Sequence, residues 1–453
     1  MDEPCVSHTE ENKAVTAGDR IVSGCPQGER IEPAAAADKV CKVMTLEAAF
    51  PKLFNYYKQK GISGCTNRDD LEKTVVSLAK CETYEQDAVD SAVRKCFDNI
   101  GGLSKFISPG QKVLIKVNLL VPEKPEKAVT THPAVVEAIA KQVLEIGAFP
   151  SIGDSAGPYG KDSGFYTPGY TALAEKLNIP ITVLETPVTV SVPIDIKPRG
   201  AAKIVVAKEL EQFDVIINAA KFKTHSFQIL TLCIKNMFGV VPGMIKGEYH
   251  LKLPEPDDFA NMCIDLYETI KPAINIIDGV VGQDGYGPRT GRVRNFGVLI
   301  ASASGHHADA VAARLTGTEL SYVPTLRNAV VRNLLPPDPS AIRTAGVSLE
   351  ELRIKEFLLP AKQSSFFEGK YVKKITKSLR KFTTARPVID KEKCILCRKC
   401  IEFCPAFAMY EVLDQVHINN DKCIRCYCCD EICPQGAVEL HYPFLQRLFF
   451  GKN

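Results

Sequence analysis

The stretch CILCRKCIEFCP at residues 394–405 returns as CIRCYCCDEICP at residues 423–434. Each copy spaces its cysteines C-x2-C-x2-C-x3-C and follows the fourth with a proline, Pro405 or Pro434. Three cysteines two residues apart on a tight loop reach three irons of one cubane, and the fourth points to the other cluster. The spacing therefore predicts two 4Fe-4S clusters with crossed ligands. One takes Cys394, Cys397, Cys400 and Cys433, and the other takes Cys423, Cys426, Cys429 and Cys404. Zinc sites also use C-x2-C pairs, but seldom three cysteines at successive x2 spacings closed by C-x3-C-P, twice over. Ile395, Leu396, Ile401, Phe403, Ile424, Tyr427 and Ile432 supply apolar shielding, which limits solvent and helps set potential. Cys428, beside Cys429, reads as a small buried residue near a cluster.

The rest of the composition fits this setting. The chain has 453 residues, 17 of them cysteine, with a formal net charge of +3. That charge is too small to suggest bulk nucleic-acid binding. The start, Met1-Asp2-Glu3-Pro4, is acidic and lacks the apolar stretch of a secretory leader. No run of about 18 apolar residues occurs, so no transmembrane segment is expected. Many cysteines without a leader point to a reducing, cytoplasmic compartment and to metal ligation rather than disulfides. Clusters of this type imply an anaerobic or low-oxygen setting. The nine other cysteines read as scattered buried thiols; Cys5, Cys25, Cys41 and Cys65 are too widely spaced to suggest a ligand set.

Working outward, residues 391–440 form a small α+β two-cluster module, followed by an apolar tail at 441–453 (HYPFLQRLFFGKN). Residues 336–390 read as a basic connector. Lys370, Lys373, Lys374, Lys377, Arg380, Lys381 and Arg386 crowd its second half, a docking surface for an acidic redox partner protein. Residues 71–335 alternate short β-rich runs with amphipathic runs. Strands are predicted at 74–79, 112–117, 181–184, 214–219, 273–277 and 296–301, with another leading to Ile152-Gly153-Asp154. Helices are predicted at 85–100, 133–146, 171–178, 258–271 and 306–316. This order implies an α/β domain with a mainly parallel sheet and helices on both faces. Residues 1–70 read as a flexible extension, with one helix near 46–60 that Pro51 interrupts.

Ligands of parallel sheets bind outside the carboxyl ends of the strands. The residues that follow the predicted strands are Asn118, Asp154 with Ser155, Lys221, Lys223, Thr224 and His225, and Asp278. We take Asn118, Asp154, Lys223 and Asp278 as candidate cofactor-binding residues. Lys221, Lys223, His132 and Lys235 would suit an anionic small-molecule substrate. The loop 279–292 (GVVGQDGYGPRTGR) is glycine-rich and ends in Arg289 and Arg292, with Arg294 beyond, and reads as an anion-binding or lid loop. It fits neither the Walker nor the Rossmann fingerprint. No serine elbow or H-E-x-x-H helix supports hydrolysis.

Three resemblances add to this reading. Residues 391–440 resemble bacterial two-cluster ferredoxins, which implies low-potential, one-electron chemistry. TTHPAVVEAI (130–139), IGDSAG (152–157), KTH with TLCIKNMFGVVPG (223–243) and DGVVGQDGYGP (278–288) resemble the domain-of-unknown-function family 362 over roughly residues 75–330. That family often bears a C-terminal two-cluster ferredoxin, which implies a redox-linked role. The spacing of His225, Lys235 and His250 resembles the N-terminal domain of nickel-pincer lactate racemases. That resemblance would make His225 a proton- or hydride-handling base, Lys235 a cofactor anchor and His250 a metal ligand. The expected function is thus an iron–sulfur oxidoreductase, passing electrons to a substrate or to an additional, unidentified cofactor or metal in the α/β domain. The alternatives are a non-enzymatic ferredoxin-type carrier with a docking domain, and a metal-cofactor isomerase-like enzyme. Anaerobic purification is expected to give a brown protein with about eight irons and matching acid-labile sulfide per chain. Zinc without sulfide would refute the cysteine reading.

Overall fold

The computed structural model describes residues 43–60, 73–155, 169–360 and 384–441. Cys5, Cys25, Cys41, Cys65, the basic run from Lys370 to Lys381 and the tail beyond His441 lie outside the described residues.

Fifteen strands are described. They are β1 (Val75–Lys80), β2 (Lys112–Lys116), β3 (Phe149–Asp154), β4 (Ile181–Val183), β5 (Pro187–Ser191), β6 (Lys203–Ala207), β7 (Val215–His225) and β8 (Ile229–Leu230), followed by β9 (Ile274–Asp284), β10 (Arg292–Ser302), β11 (Arg343–Gly346), β12 (Arg386–Ile389), β13 (Met409–Val412), β14 (Gln415–Ile418) and β15 (Val438–His441). Nine of them build the central sheet, in the order β11-β1-β10-β9-β7-β2-β3-β4, with β8 folded back on β7. Along that path only β10 runs against its neighbours.

The register explains the sheet's stability. Ile152, Ile115, Ile217 and Ile274 lie side by side on four adjacent parallel strands and are fully buried. β-branched residues pack well on a pleated surface covered on both sides. The next row, one residue toward the carboxyl ends, is Gly153, Lys116, Asn218 and Asn275. Here the core turns polar at the edge where ligands are expected.

Helices Gln86–Asp98 and Pro133–Glu145 pack together as one layer; Cys233–Asn236, Pro256–Ile270, Gly305–Leu315 and Pro324–Val331 form another. The C-terminal module has two two-stranded sheets, β12–β15 and β13–β14, and short helices Lys399–Glu402 and Cys428–Ile432.

Several sequence boundaries shift. The extension does not run to residue 70, because Leu46–Ala49 and Pro51–Gln59 are helices whose Leu46, Phe50 and Leu53 join the main core. Pro51 starts the second helix, where its missing N–H is no loss. The α/β body continues past residue 335: β11 pairs with β1, and Leu352 and Ile354 are buried in the same core. Arg-Thr-Ala-Gly has no apolar pattern; the open edge of β1 supplies its partner.

Half of the stretch read as a loop at 279–292 is strand. β9 runs on to Asp284 and pairs with β10 from Arg292. Gly282 serves close packing, for a Cβ there would collide with the Phe296 ring and the Phe222 carbonyl oxygen. Arg292 and Arg294 both pair with buried Asp284, at 2.8 and 2.9 Å, so neither is held ready for an anion.

Among the described residues, no helix is long and apolar enough to cross a membrane. Gly282→Ala is expected to destabilise the fold by roughly 1–3 kcal/mol through overpacking, read as a lower denaturant midpoint. An unchanged midpoint would contradict the packing described.

Candidate functional site

The two cysteine repeats fold alike. Leu396 and Arg398 in the first, and Arg425 and Tyr427 in the second, adopt left-handed backbone conformations that curl each loop. Ala408 N–H donates to Cys404 Sγ and Ala437 N–H donates to Cys433 Sγ, both at 3.2 Å. Two small cavities result. Cys394, Cys397, Cys400 and Cys433 line one, with Ile389 and Val438. Cys404, Cys423, Cys426 and Cys429 line the other, with Met409 and Ile418. The fourth cysteine of each repeat therefore lies with the first three of the other. No three His, Cys, Asp or Glu side chains among the described residues converge as a single ion would require. Each quartet instead rings an apolar space, and this donor set fits a 4Fe-4S cluster.

A larger cavity, of about 140 Å³, lies where the α/β body meets this module. Asn118, Asp154, Lys235, Lys246 and His250 line it from one side, and Phe403, Cys428, Glu431 and Ile432 from the other. Of the residues singled out in the sequence, Asn118, Asp154, Lys235 and His250 reach this cavity. His225 stands behind Glu431, with its Nε2 3.1 Å from Glu431 Oε1. Lys223 and Asp278 do not line it. Lys223 is buried within β7 and donates to the Val129 carbonyl. Asp278 is fully buried against Lys221 at 2.7 Å and also accepts from the Tyr84 hydroxyl and the His132 N–H. Position after a strand located these two, but internal partners absorb them.

The electrostatics follow from burial. His225 Nδ1 accepts from the N–H groups of Phe227 and Gln228, at 3.0 and 3.4 Å. Nε2 therefore bears the proton and faces Glu431. Burial drives the His225 pKa down, and Glu431 opposes that shift. Burial alone would raise the Glu431 pKa, but His225, Lys235 and His250 outweigh it and hold the carboxyl at about 2. Glu431 Oε1 has no aligned hydrogen-bond donor, and the His225 contact is one of proximity. Burial also lowers Lys223 to about 7 and His250 to about 3.

Lys235 rests over the rings of Phe238 and Phe259, 4.8 and 5.5 Å from their centroids. His250 stacks on Phe259 at 4.4 Å. Asp154 pairs with buried Lys116 at 2.9 Å and accepts from the N–H groups of Leu119 and Ser155. Gly239 lies so close that any Cβ there would strike both members of this pair.

Arg289 holds the module in place. Its guanidinium donates to the carbonyls of Cys433 and Pro434 and pairs with Glu123. The glycine-rich segment thus presents a docking arginine, not an anion site. Glu431 and Lys246 were not singled out from the sequence. The signal for Glu431 was the pair of carboxylates, Asp430 and Glu431, set between Cys429 and Cys433; Lys246 follows the Val-Pro-Gly stretch and gives no comparable signal.

Comparisons with known proteins agree with this architecture. Residues 113–314 match a domain of unknown function, DUF362. Residues 386–434 match a 4Fe-4S dicluster domain. The chain is similar to the thylakoid-associated protein sll1697 of Synechocystis sp., at 31% identity over 262 residues, 55% of this chain and 77% of that protein. The dicluster domain supports 4Fe-4S cluster binding and an iron–sulfur electron-transfer role. The chain belongs to the DUF362 family and bears a C-terminal 4Fe-4S dicluster domain.

Proposed function

We propose that the protein is an iron–sulfur oxidoreductase whose dicluster module supplies electrons to a molecule held in the cavity it shares with the α/β body. The observation that carries this reading is the shared wall: Cys428 and Glu431 face the same space as Asn118, Lys235 and His250. Bound 4Fe-4S clusters supply low-potential, one-electron chemistry. In this reading Cys394, Cys397, Cys400 and Cys433 hold one cluster, and Cys404, Cys423, Cys426 and Cys429 the other.

The chain's own groups have distinct tasks. Cys428 hydrogen-bonds the Cys426 sulfur and lines the cavity, linking one ligand set to the site. Phe238, Phe259 and Phe227 surround Lys235 and His250 and exclude water from that wall. His225 holds a proton at Nε2 beside ionised Glu431. Arg289 keeps the module seated. Cys397 is exposed, so the other ligand set has an outward face for a redox partner protein. The cysteine content supports a reducing, cytoplasmic setting in which thiols stay free for metal ligation.

A second reading, an isomerase-like enzyme with its own metal cofactor, draws on Lys235 and His250 sharing one wall. It requires a covalent adduct on Lys235, detectable by intact mass.

Lys235→Ala and His250→Ala test the first reading in a strain that depends on this protein. Losing one charge-assisted contact costs roughly 1.5–3 kcal/mol, so activity in complementation is expected to fall about tenfold or more. The cluster EPR spectra are expected to stay unchanged. Full complementation by both variants would favour a simple electron carrier.

A further inference from the structure

Four asparagines run in one hydrogen-bonded file from the middle of the sheet to the cavity. Asn275 Nδ2 donates to the carbonyls of Ser302 and Ala303, each at 3.4 Å. Its Oδ1 therefore accepts from Asn218 Nδ2 at 2.9 Å. Asn218 Nδ2 also donates to the Cys233 carbonyl at 3.0 Å, so its Oδ1 accepts from Asn236 Nδ2 at 2.7 Å. Asn236 Oδ1 in turn accepts from Asn118 Nδ2 at 2.9 Å. Main-chain carbonyls only accept, so they fix the polarity of the file from its inner end. At its outer end Asn118 Oδ1 is left as a buried acceptor without a partner, on a residue that lines the cavity. Buried acceptors are rarely left unpaired.

The other walls add charge. Lys235 and Lys246 face the cavity, and neither has a carboxylate within ion-pairing distance among the described residues. Of the two carboxylates on the walls, Asp154 is engaged by Lys116 and two N–H groups, and Glu431 lies 3.1 Å from His225 Nε2 with no aligned hydrogen-bond donor on its Oε1. His250 is 3% exposed, and its Nδ1 has no partner. The volume of about 140 Å³ sets how much of a ligand these walls enclose. An apolar cavity of about 150 Å³ accommodates benzene, so roughly six to eight heavy atoms fit within these walls.

We propose that the cavity binds a small monoanion that also carries an O–H or N–H group. The donor sits on Asn118 Oδ1, and the anionic end on Lys235 and Lys246. This assignment rests on the shared cavity being the working site, and it names the class of molecule that site takes.

Matched probes separate the two requirements. Bicarbonate and nitrate are planar anions of similar size, but only bicarbonate has an O–H. Hydroxyacetate and acetate form a second pair. Anaerobic calorimetry on the oxidised, full-length holoprotein is expected to show each hydroxylated probe binding about tenfold tighter than its partner, the typical effect of one satisfied buried acceptor. Asn118→Ala is expected to bring each ratio close to one while leaving nitrate and acetate affinity and the cluster EPR spectrum unchanged. Lys235→Ala is expected to weaken all four probes. Asn236→Leu frees the Asn118 amide to turn over, and should abolish or reverse the preference.

Equal binding within each pair by the unsubstituted protein, or no binding of any probe, would overturn the proposal. Loss of complementation by Lys235→Ala alongside that result would leave electron delivery standing and reject only this ligand class.

Discussion

The burial of β7 constrains much of this structure. All eleven of its residues are buried, and Lys221, Lys223 and His225 are among them. A buried cation or imidazole is unfavourable unless a partner meets it. Each of the three recruits one from a different part of the chain. Asp278 on β9 answers Lys221, the Val129 carbonyl answers Lys223, and Glu431 answers His225. The last partner comes from the cysteine-rich module, so satisfying this strand couples the two parts of the molecule.

That coupling has a chemical consequence. Glu431 stays ionised despite burial because His225, Lys235 and His250 surround it. Removing the α/β body would leave Glu431 without these neighbours, and removing the module would leave His225 Nε2 without the carboxylate it faces. Arg289 works in the same direction, since its guanidinium meets the carbonyls of Cys433 and Pro434 while held by Glu123. Tyr427 and Leu440 of the module pack with the main hydrophobic core. The cavity between the parts therefore has walls positioned by buried polar contacts and by apolar packing.

Much of the architecture was legible because periodicity and spacing are local signals. The runs KVLIKV and DVIINA, the helix opening at Pro133 and the cysteine repeats all depend on nearby residues. Asn118, Asp154, Lys235 and His250 could be picked out because polar residues beyond parallel strands gather at one edge. What escaped was set by distant partners. Lys223 and Asp278 occupy similar sequence positions, yet internal contacts hold them away from the cavity. The glycine-rich stretch resembled a ligand loop, but the small size of Gly279 and Gly282, within β9, instead admits Phe222 and Phe296. Nothing local in Arg-Thr-Ala-Gly shows that β1 will pair with it.

The asparagine file shows how a neutral network can be as selective as a charged one. A carboxylate at position 118 would also accept a hydrogen bond, but its charge would oppose an anion between Lys235 and Lys246. An amide avoids that charge, though a free amide could turn over and offer its donor instead. Asn218, Asn236 and Asn275 remove that freedom, because the carbonyls of Cys233, Ser302 and Ala303 fix each amide in turn. Lys246, which burial brings down to about 7, changes its charge near neutral pH. Asn118 does not titrate, so its demand for a donor holds across that range. Charge and hydrogen-bond polarity are thus assigned to different residues, and the side chain that tells donor from acceptor is the one whose character pH leaves unchanged.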